Sequence, residues 1–244
     1  MSRYKIKIQY DGANYFGWQM QSQQRTIQAE IEDALAPLNT DKRVKVTAAG
    51  RTDTGVHALG QAAHFDLNTN LKPVQLLKAL NARLPHDIRI MEVALKGDEF
   101  HARFSAIKRY YSYQCYFGDN LLYRNQSWFI NEIDKSTLRM FSQKIMGEHD
   151  FLSFSKLNKQ LDNTKCNIYQ SEWIENDNML IFNVCGNRFL HHMVRYLVGT
   201  MVAGAQGKIS LDYFEDLLNN PQKNVKIFKA PPEGLILIGI DYDE

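Results

Sequence analysis

Residues Ala48–Asp66 read "AAGRTDTGVHALGQAAHFD". Small and apolar residues stand at both ends, and Arg51, Thr52, Asp53, Thr54 and Gly55 fill the middle without a break. Thr, Asp and Gly are the residues of a side-chain-bonded turn, so the stretch reads as two strands joined by a short connection. The first strand is marked by Val44 and Val46, and the second runs over about residues 61–67. This strand pair frames what flanks it on both sides.

Upstream, Tyr4, Ile6, Ile8 and Tyr10 alternate with Lys5, Lys7 and Gln9, a period-two strand that ends at Asp11-Gly12. Thr26 is placed to cap a helix whose Ile27, Ile31 and Leu35 share one face, with Pro37 as its stop. Downstream, Pro73 opens a helix with Leu76, Leu77, Leu80 and Leu84 inward, and "IRIMEVAL" is another strand. The first half is thus β-α-β-β-α-β. From about residue 105 a similar order begins. "KRYYSYQCYF" is a strand with Tyr111, Tyr113, Cys115 and Phe117 on one face and Tyr110, Ser112, Gln114 and Tyr116 on the other. A helix at about 136–147 carries Leu138, Phe141 and Ile145. "YQSEWI" and "MLIFNVC" read as strands around "ENDN", a hairpin loop longer than the tightest type. A helix over about 188–204, a Ser210-capped helix and the closing strand "GLILIGIDYD" follow. The chain is therefore expected to be α/β, of α+β type, with two similar halves at residues 1–105 and 106–244.

With 244 residues, 44% of them hydrophobic and 23% charged, the chain has the bulk of an ordinary globular protein. A net charge of +2 permits a nucleic-acid partner without demanding one. Cys115, Cys166 and Cys185 are odd in number and form no CxxC pair, which argues against a disulfide framework or a thiolate zinc site. The opening "MSRYKIKIQYDG" has no apolar leader core, and runs such as "GLILIGI" are far below membrane-spanning length. A soluble cytoplasmic protein is expected, without membrane association.

Asp53 has two readings. It either only builds the turn, or it is a carboxylate set among arginines, where positive charge favours the ionised form and suits a nucleophile or electrostatic stabiliser. No second carboxylate shares the loop, so paired acid/base chemistry on sugars is not encoded. On the 188–204 helix, Arg188, His192, Arg195 and Gly199 fall at spacings of four, three and four. This is either a solvated face, or Arg195, amid apolar neighbours, meets a carboxylate or bends into a cleft. His191 and His192 would point about 100° apart on a helix, with no HExxH or HxxxH spacing, so no metal is expected. His57 and His64 read as structural, since no serine or cysteine nucleophile sits in a matching motif. In "RFSAIKRYYSYQCY", Arg103, Lys108 and Arg109 stand beside four tyrosines. Strand packing accounts for such tyrosines; base stacking with phosphate contacts is the functional alternative. Neither GxxxxGK[ST] nor GxGxxG occurs, so no nucleotide cofactor is expected.

Five motifs then point the same way. "AGRTDTGVHALGQ" resembles the signature of the tRNA pseudouridine synthase A family, with Asp53 at the position of the catalytic aspartate. "YDGANYFGWQ", "KRYYSY", "RFLHHMVRYLVG" and "APPEGLILIGIDY" resemble the family's other motifs, in the family's order. Ala13 stands where a threonine is common, and residues 156–166 match no family pattern. The resemblance implies mixed, mainly antiparallel sheets flanked by helices, with an active cleft between the two halves. It implies an isomerase that converts uridine to pseudouridine at positions 38–40 of the tRNA anticodon stem-loop, by base flipping and without cofactor or metal. Asp53 would be the essential carboxylate and Arg195 its partner. Tyr111 would lie against the flipped uracil and help remove the C5 proton. Arg51 would assist flipping, Leu235 would line the uracil pocket, and Lys108 and Arg109 would bind substrate. A homodimer acting on tRNA, not DNA, is implied. The competing expectation is a tRNA-binding or folding module without catalysis.

Overall fold

The computed structural model describes residues 1–39, 44–118, 120–131, 133–156 and 163–243. The chain divides into two compact units, Met1–Ile107 with Ile236–Glu244, and Lys108–Leu235. The closing strand therefore belongs with the first unit. Within each unit the strand pairing is mixed and mainly antiparallel, with helices packed on the strands.

In the first unit the sheet order is β4 (Ile88–Lys96), β1 (Ser2–Tyr10), β3 (His57–Leu67) and β10 (Leu235–Tyr242). β1 is antiparallel to both β3 and β4, and β10 runs parallel to β3. The alternation in β1 does its expected work: Tyr4, Ile6, Ile8 and Tyr10 are buried, while Lys5, Lys7 and Gln9 face outward. α1 (Ile27–Leu35) lays Ile27, Ile31 and Leu35 into the core with no residual exposure. Burying side chains of that size contributes about 2 kcal/mol each. α2 (Pro73–Asn81) begins at its proline and buries Leu76 and Leu80. The strand expected at Val44 and Val46 is only the two-residue β2, Thr47–Ala48, paired with His64 and Ala63. Both valines are nonetheless core residues.

The second unit orders β5 (Ala106–Phe117), β9 (Met179–Gly186), β8 (Lys165–Asn176) and β7 (Gly147–Asp150), all antiparallel, with β6 (Trp128–Ile130) parallel to β5. α3 (Lys135–Lys144), α4 (Met193–Ala205) and α5 (Leu211–Asn219) complete it. Ser210 caps α5 as expected, its hydroxyl accepting from the Tyr213 N–H at 3.2 Å.

Two expectations need correction here. The β8–β9 hairpin is the tight form: Asn176 pairs with Met179, so Asp177 and Asn178 alone turn the chain. Asp177 supplies the required positive φ of 50°. The 188–204 helix is shorter than expected, because His192 has φ 64°, a left-handed conformation that an α-helix of L-residues does not continue through. Helix α4 starts at Met193, so Arg188 and His192 lie ahead of it and share no helical face with Arg195 and Gly199. Of residues 156–166, those numbered 157–162 lie outside the described residues. No helix among the described residues is long and apolar enough to cross a membrane.

Candidate active site

The connection between β2 and β3 carries Asp53, and its backbone is held at nearly every step. The Asp53 carbonyl accepts from the Val56 N–H at 3.2 Å, closing the predicted turn. The Thr52 carbonyl accepts from the Trp18 N–H at 3.1 Å, and the Gly55 N–H donates to the Tyr15 carbonyl at 3.3 Å. Thr52 is buried, and its hydroxyl lies 2.8 Å from the Tyr10 phenol. Gln61 spans the loop, donating to the Gly50 carbonyl at 2.9 Å and to the Tyr10 oxygen at 3.4 Å. Burial pushes the Tyr10 phenol up to about 12, with the bonds to Thr52 and Gln61 drawing it partly back, so it stays a neutral hydroxyl. Asp53 is half-buried at the tip, and Arg51 is exposed.

The first motif, "YDGANYFGWQ", is the other jaw of this clamp. A Cβ on Gly12 would stand 2.0 Å from the Val56 carbonyl oxygen. A Cβ on Gly17 would stand 2.7 Å from the Thr52 oxygen and 3.0 Å from the Asp53 carbonyl carbon, and Gly17 has φ +84°. Only glycine lets backbone approach backbone this closely. The Gly12 N–H also donates to His57 Nδ1 at 3.1 Å, so His57 ties the end of β1 to the start of β3, a structural task. The jaw is itself anchored. Tyr15 donates its phenol to Asp87 at 2.5 Å, and Arg25 pairs with the same carboxylate at 3.0 Å while lying 4.3 Å over the Tyr15 ring.

In the second unit, Arg195, Tyr111 and Leu235 occupy a separately supported set. Arg195 sits in the first turn of α4 and is only 7% exposed, which overturns the solvated-face alternative. Its Nε donates to the Ala230 carbonyl at 2.9 Å, and the Ala230 N–H donates back to the Arg195 carbonyl at 2.9 Å. A guanidinium this buried requires acceptors around it, and the Nε bond fixes the plane of its fork. The chain that follows Ala230 is stitched down in turn. Pro231 offers its carbonyl to the Tyr113 phenol at 2.8 Å, the Gln114 N–H donates to Gly234 at 2.8 Å, and the Leu235 N–H donates to Pro232 at 2.9 Å. Burial holds Tyr113 far above the ordinary phenol range, so it remains a donor. Leu235 is buried. Tyr111, half-buried on β5 opposite Val184, stands edge-on to Phe189 with ring centres 5.2 Å apart.

The two basic residues named with Tyr111 have structural engagements of their own. Arg109 donates from Nη1 to the Asn187 carbonyl at 2.5 Å, and the Lys108 ammonium lies 5.5 Å from the centre of the Tyr169 ring. The three cysteines are buried thiols, with Cys166 pushed up to about 12 by burial and Cys115 further still, so neither supplies a thiolate nucleophile.

The family model described as "tRNA pseudouridine synthase" matches residues 6–105 and 141–243. The chain belongs to the tRNA pseudouridine synthase family. A tRNA pseudouridine synthase A of Listeria monocytogenes is 39% identical over 248 residues, covering all of both chains. One from a Geobacillus species is 39% identical over 244 residues, 99% of this chain and 98% of that one. One from Dictyoglomus turgidum is 40% identical over 247 residues, 99% and 100% of the two chains. Among solved structures, a Cbf5–Nop10–Gar1 complex aligns at 11% identity and a TM-score of 0.39 over 96% of this chain and 58% of that one, too distant to bear on the site. As a member of this family the chain is an isomerase of uridine in tRNA, and the resemblance drawn from five motifs holds over its full length.

Beyond Thr52, which reads as a turn-builder, sequence reading missed the residues that grip the Asp53 loop: Gly12, Gly17, Tyr10 and Gln61. A usable signal was present. Two glycines five positions apart, on either side of "ANYF" and ahead of a helix, exceed what one turn requires.

Proposed function

We propose that this chain forms pseudouridine at positions 38–40 in the anticodon stem-loop of tRNA, with Asp53 as the essential carboxylate. The observation that carries the reading is the double clamp on the Asp53 loop. A half-buried carboxylate at a loop tip is ordinarily mobile, whereas this one has its backbone fixed by Trp18, Tyr15 and Val56 and by the close approach of Gly12 and Gly17. Fixing a reactive group in this way removes orientation entropy before the substrate arrives.

The chemistry is a balanced isomerisation. The bond between N1 and C1′ breaks, the uracil turns while bound, C5 joins C1′, and the proton on C5 leaves as N1 gains one. Nothing is oxidised or reduced. An ionised Asp53 can attack C1′, add to the ring, or take the 2′ hydrogen, and all three routes need the same held carboxylate. Arg195, its fork oriented by Ala230, is the cation that pairs with the carboxylate in this reading. Tyr111 offers its ring to the uracil and its phenol to the C5 proton. Leu235 supplies an apolar wall, and Arg51 at the exposed tip occupies the gap left as the target base leaves its stack. Lys108 and Arg109 add positive charge for the phosphates. The reading also includes a homodimer in the cytoplasm.

The test uses unmodified tRNA carrying tritium at uridine C5. Wild-type chain releases tritium and yields pseudouridine at positions 38–40, and Asp53→Asn releases none while still binding tRNA. Release by Asp53→Asn at the wild-type rate removes the catalytic role of Asp53. Tight tRNA binding by wild type with no release leaves the non-catalytic binding module as the function.

A further inference from the structure

Phe104 lies outside the residues that hold Asp53, and its surroundings are unusual. It belongs to a closed loop, in which the Ser105 N–H donates to the His101 carbonyl at 2.9 Å and the His101 N–H donates to Ser105 Oγ at 3.0 Å. His101 Nδ1 accepts from the N–H groups of Arg103 and Phe104 at 3.2 and 3.3 Å, which fixes the imidazole beneath the loop. The Phe104 ring stacks on that imidazole with centres 4.3 Å apart and 29° between planes. His101 in turn rests 4.7 Å from buried His64, whose Nδ1 accepts from the Ala102 N–H at 3.1 Å. One face of the phenyl ring is therefore supported down to the core.

Phe104 as a whole residue is nevertheless 78% exposed, and no other Phe, Tyr or Trp among the described residues exceeds half. A surface phenyl ring free to move would turn toward apolar neighbours. This one is held outward by its own loop. Arg103 places its guanidinium carbon 5.7 Å from the ring centre, and the adjoining Phe100 has the ammonium groups of Lys5 and Lys96 each 5.9 Å from its own ring. An open ring backed by His101, with the Arg103 guanidinium 5.7 Å from its centre, has the two features that hold a nucleotide outside a helix, a stacking surface for the base and positive charge for the phosphate.

We propose that Phe104 is a stacking platform for an unpaired base of the tRNA, with Arg103 toward the neighbouring phosphate, in addition to the site that holds the reacting uridine. The proposal rests on tRNA being the substrate. Its test is equilibrium binding of unmodified tRNA to full-length wild-type, F104A, F104L and F104Y, beside tritium release at saturating tRNA and sedimentation of each protein. F104A and F104L are expected to bind about tenfold more weakly, the scale of one base–aromatic stack. F104Y keeps the ring and binds as wild type does, and turnover at saturation is unchanged in all four. F104L binding like wild type overturns the proposal, since it keeps apolar bulk without a π face. F104A binding like wild type overturns it as well. A change in sedimenting mass of F104A that accompanies weaker binding assigns the ring to a contact between copies and also overturns it. Binding is read without turnover, so absence of pseudouridine formation by wild type defeats the catalytic reading while leaving this comparison decisive.

Discussion

Replacing Gly17 by alanine separates conformational cost from displacement of the Asp53 loop. Gly17 has φ +84°, where an L-residue pays about 1–2 kcal/mol. Its new Cβ would also stand 2.7 Å from the Thr52 oxygen and 3.0 Å from the Asp53 carbonyl carbon, both backbone atoms that cannot swing aside. The Thr52–Asp53 segment must retreat by several tenths of an ångström, against the hydrogen bond that Trp18 donates to it. Two other glycines act as controls. Gly147 has φ +88° with nothing within 4 Å of its Cβ position, so Gly147→Ala pays the conformational cost alone. Gly50 has no positive φ and no neighbour within 4 Å, so Gly50→Ala leaves stability unchanged. In urea unfolding, Gly147→Ala is expected to lose about 1 kcal/mol and Gly17→Ala about 2–3 kcal/mol, the excess being the clash. In tritium release, Gly17→Ala is expected to turn over roughly ten- to a hundredfold more slowly, the penalty for moving a reacting group by that order. Gly147→Ala keeps its rate. Equal turnover for Gly17→Ala and Gly147→Ala would refute the idea that the first motif positions Asp53.

Three further outcomes are expected. Arg195→Lys removes the Nε donor to Ala230 and the planar fork together; stability falls by about 2 kcal/mol in urea unfolding, and tritium release falls at least about a hundredfold. Tyr111→Phe keeps the ring and loses the phenol, so KM for tRNA holds while kcat drops at least about tenfold, and an unchanged kcat removes the proton-transfer role. His64 is held at about 4 against an ordinary 6.5, chiefly by burial, with His101 and Arg3 adding to it. Between those values the unfolded chain takes up a proton that the folded chain refuses, so stability declines as pH falls from about 6.5 to about 4, by up to about 3 kcal/mol, and is unaffected above. In urea unfolding across that range, His64→Gln flattens this arm of the stability–pH curve.

The elements most legible in the sequence were those whose side chains obey one period over many residues. β1 alternates cleanly, α1 repeats Ile27, Ile31 and Leu35, and Pro73 and Ser210 mark helix starts, so the chain lists these elements almost directly. Periodicity failed where the deciding atom was in the backbone. Apolar residues continue across His192 from Phe189 to Val194, so nothing in their spacing announces the left-handed residue that delays α4. The hairpin at Asp177–Asn178 looked longer for the opposite reason, because Glu175 and Asn176 are polar yet still paired in β8. The two-residue β2 is set by its pairing with Ala63 and His64, a long-range contact that local sequence does not contain.

The same division runs through the site. Asp53 had two readings in the sequence, a turn-builder or an ionised carboxylate, and the resemblance of "AGRTDTGVHALGQ" to a family signature is what singled it out. Arg195 remained ambiguous until its burial was seen, since a helix face at that spacing fits solvent as well as a cleft. The clamp was hidden altogether, because Gly12 and Gly17 act by lacking a side chain. Their contribution consists of carbonyl oxygens at Val56 and Thr52 that any Cβ would strike. It follows that the two glycines of "YDGANYFGWQ" should tolerate substitution less well than Arg51, although Arg51 lies in the signature loop itself. Arg51 is exposed, and its removal costs only what it gives to RNA. A side chain at Gly12 or Gly17 moves the carboxylate, and with it every role that depends on where Asp53 points.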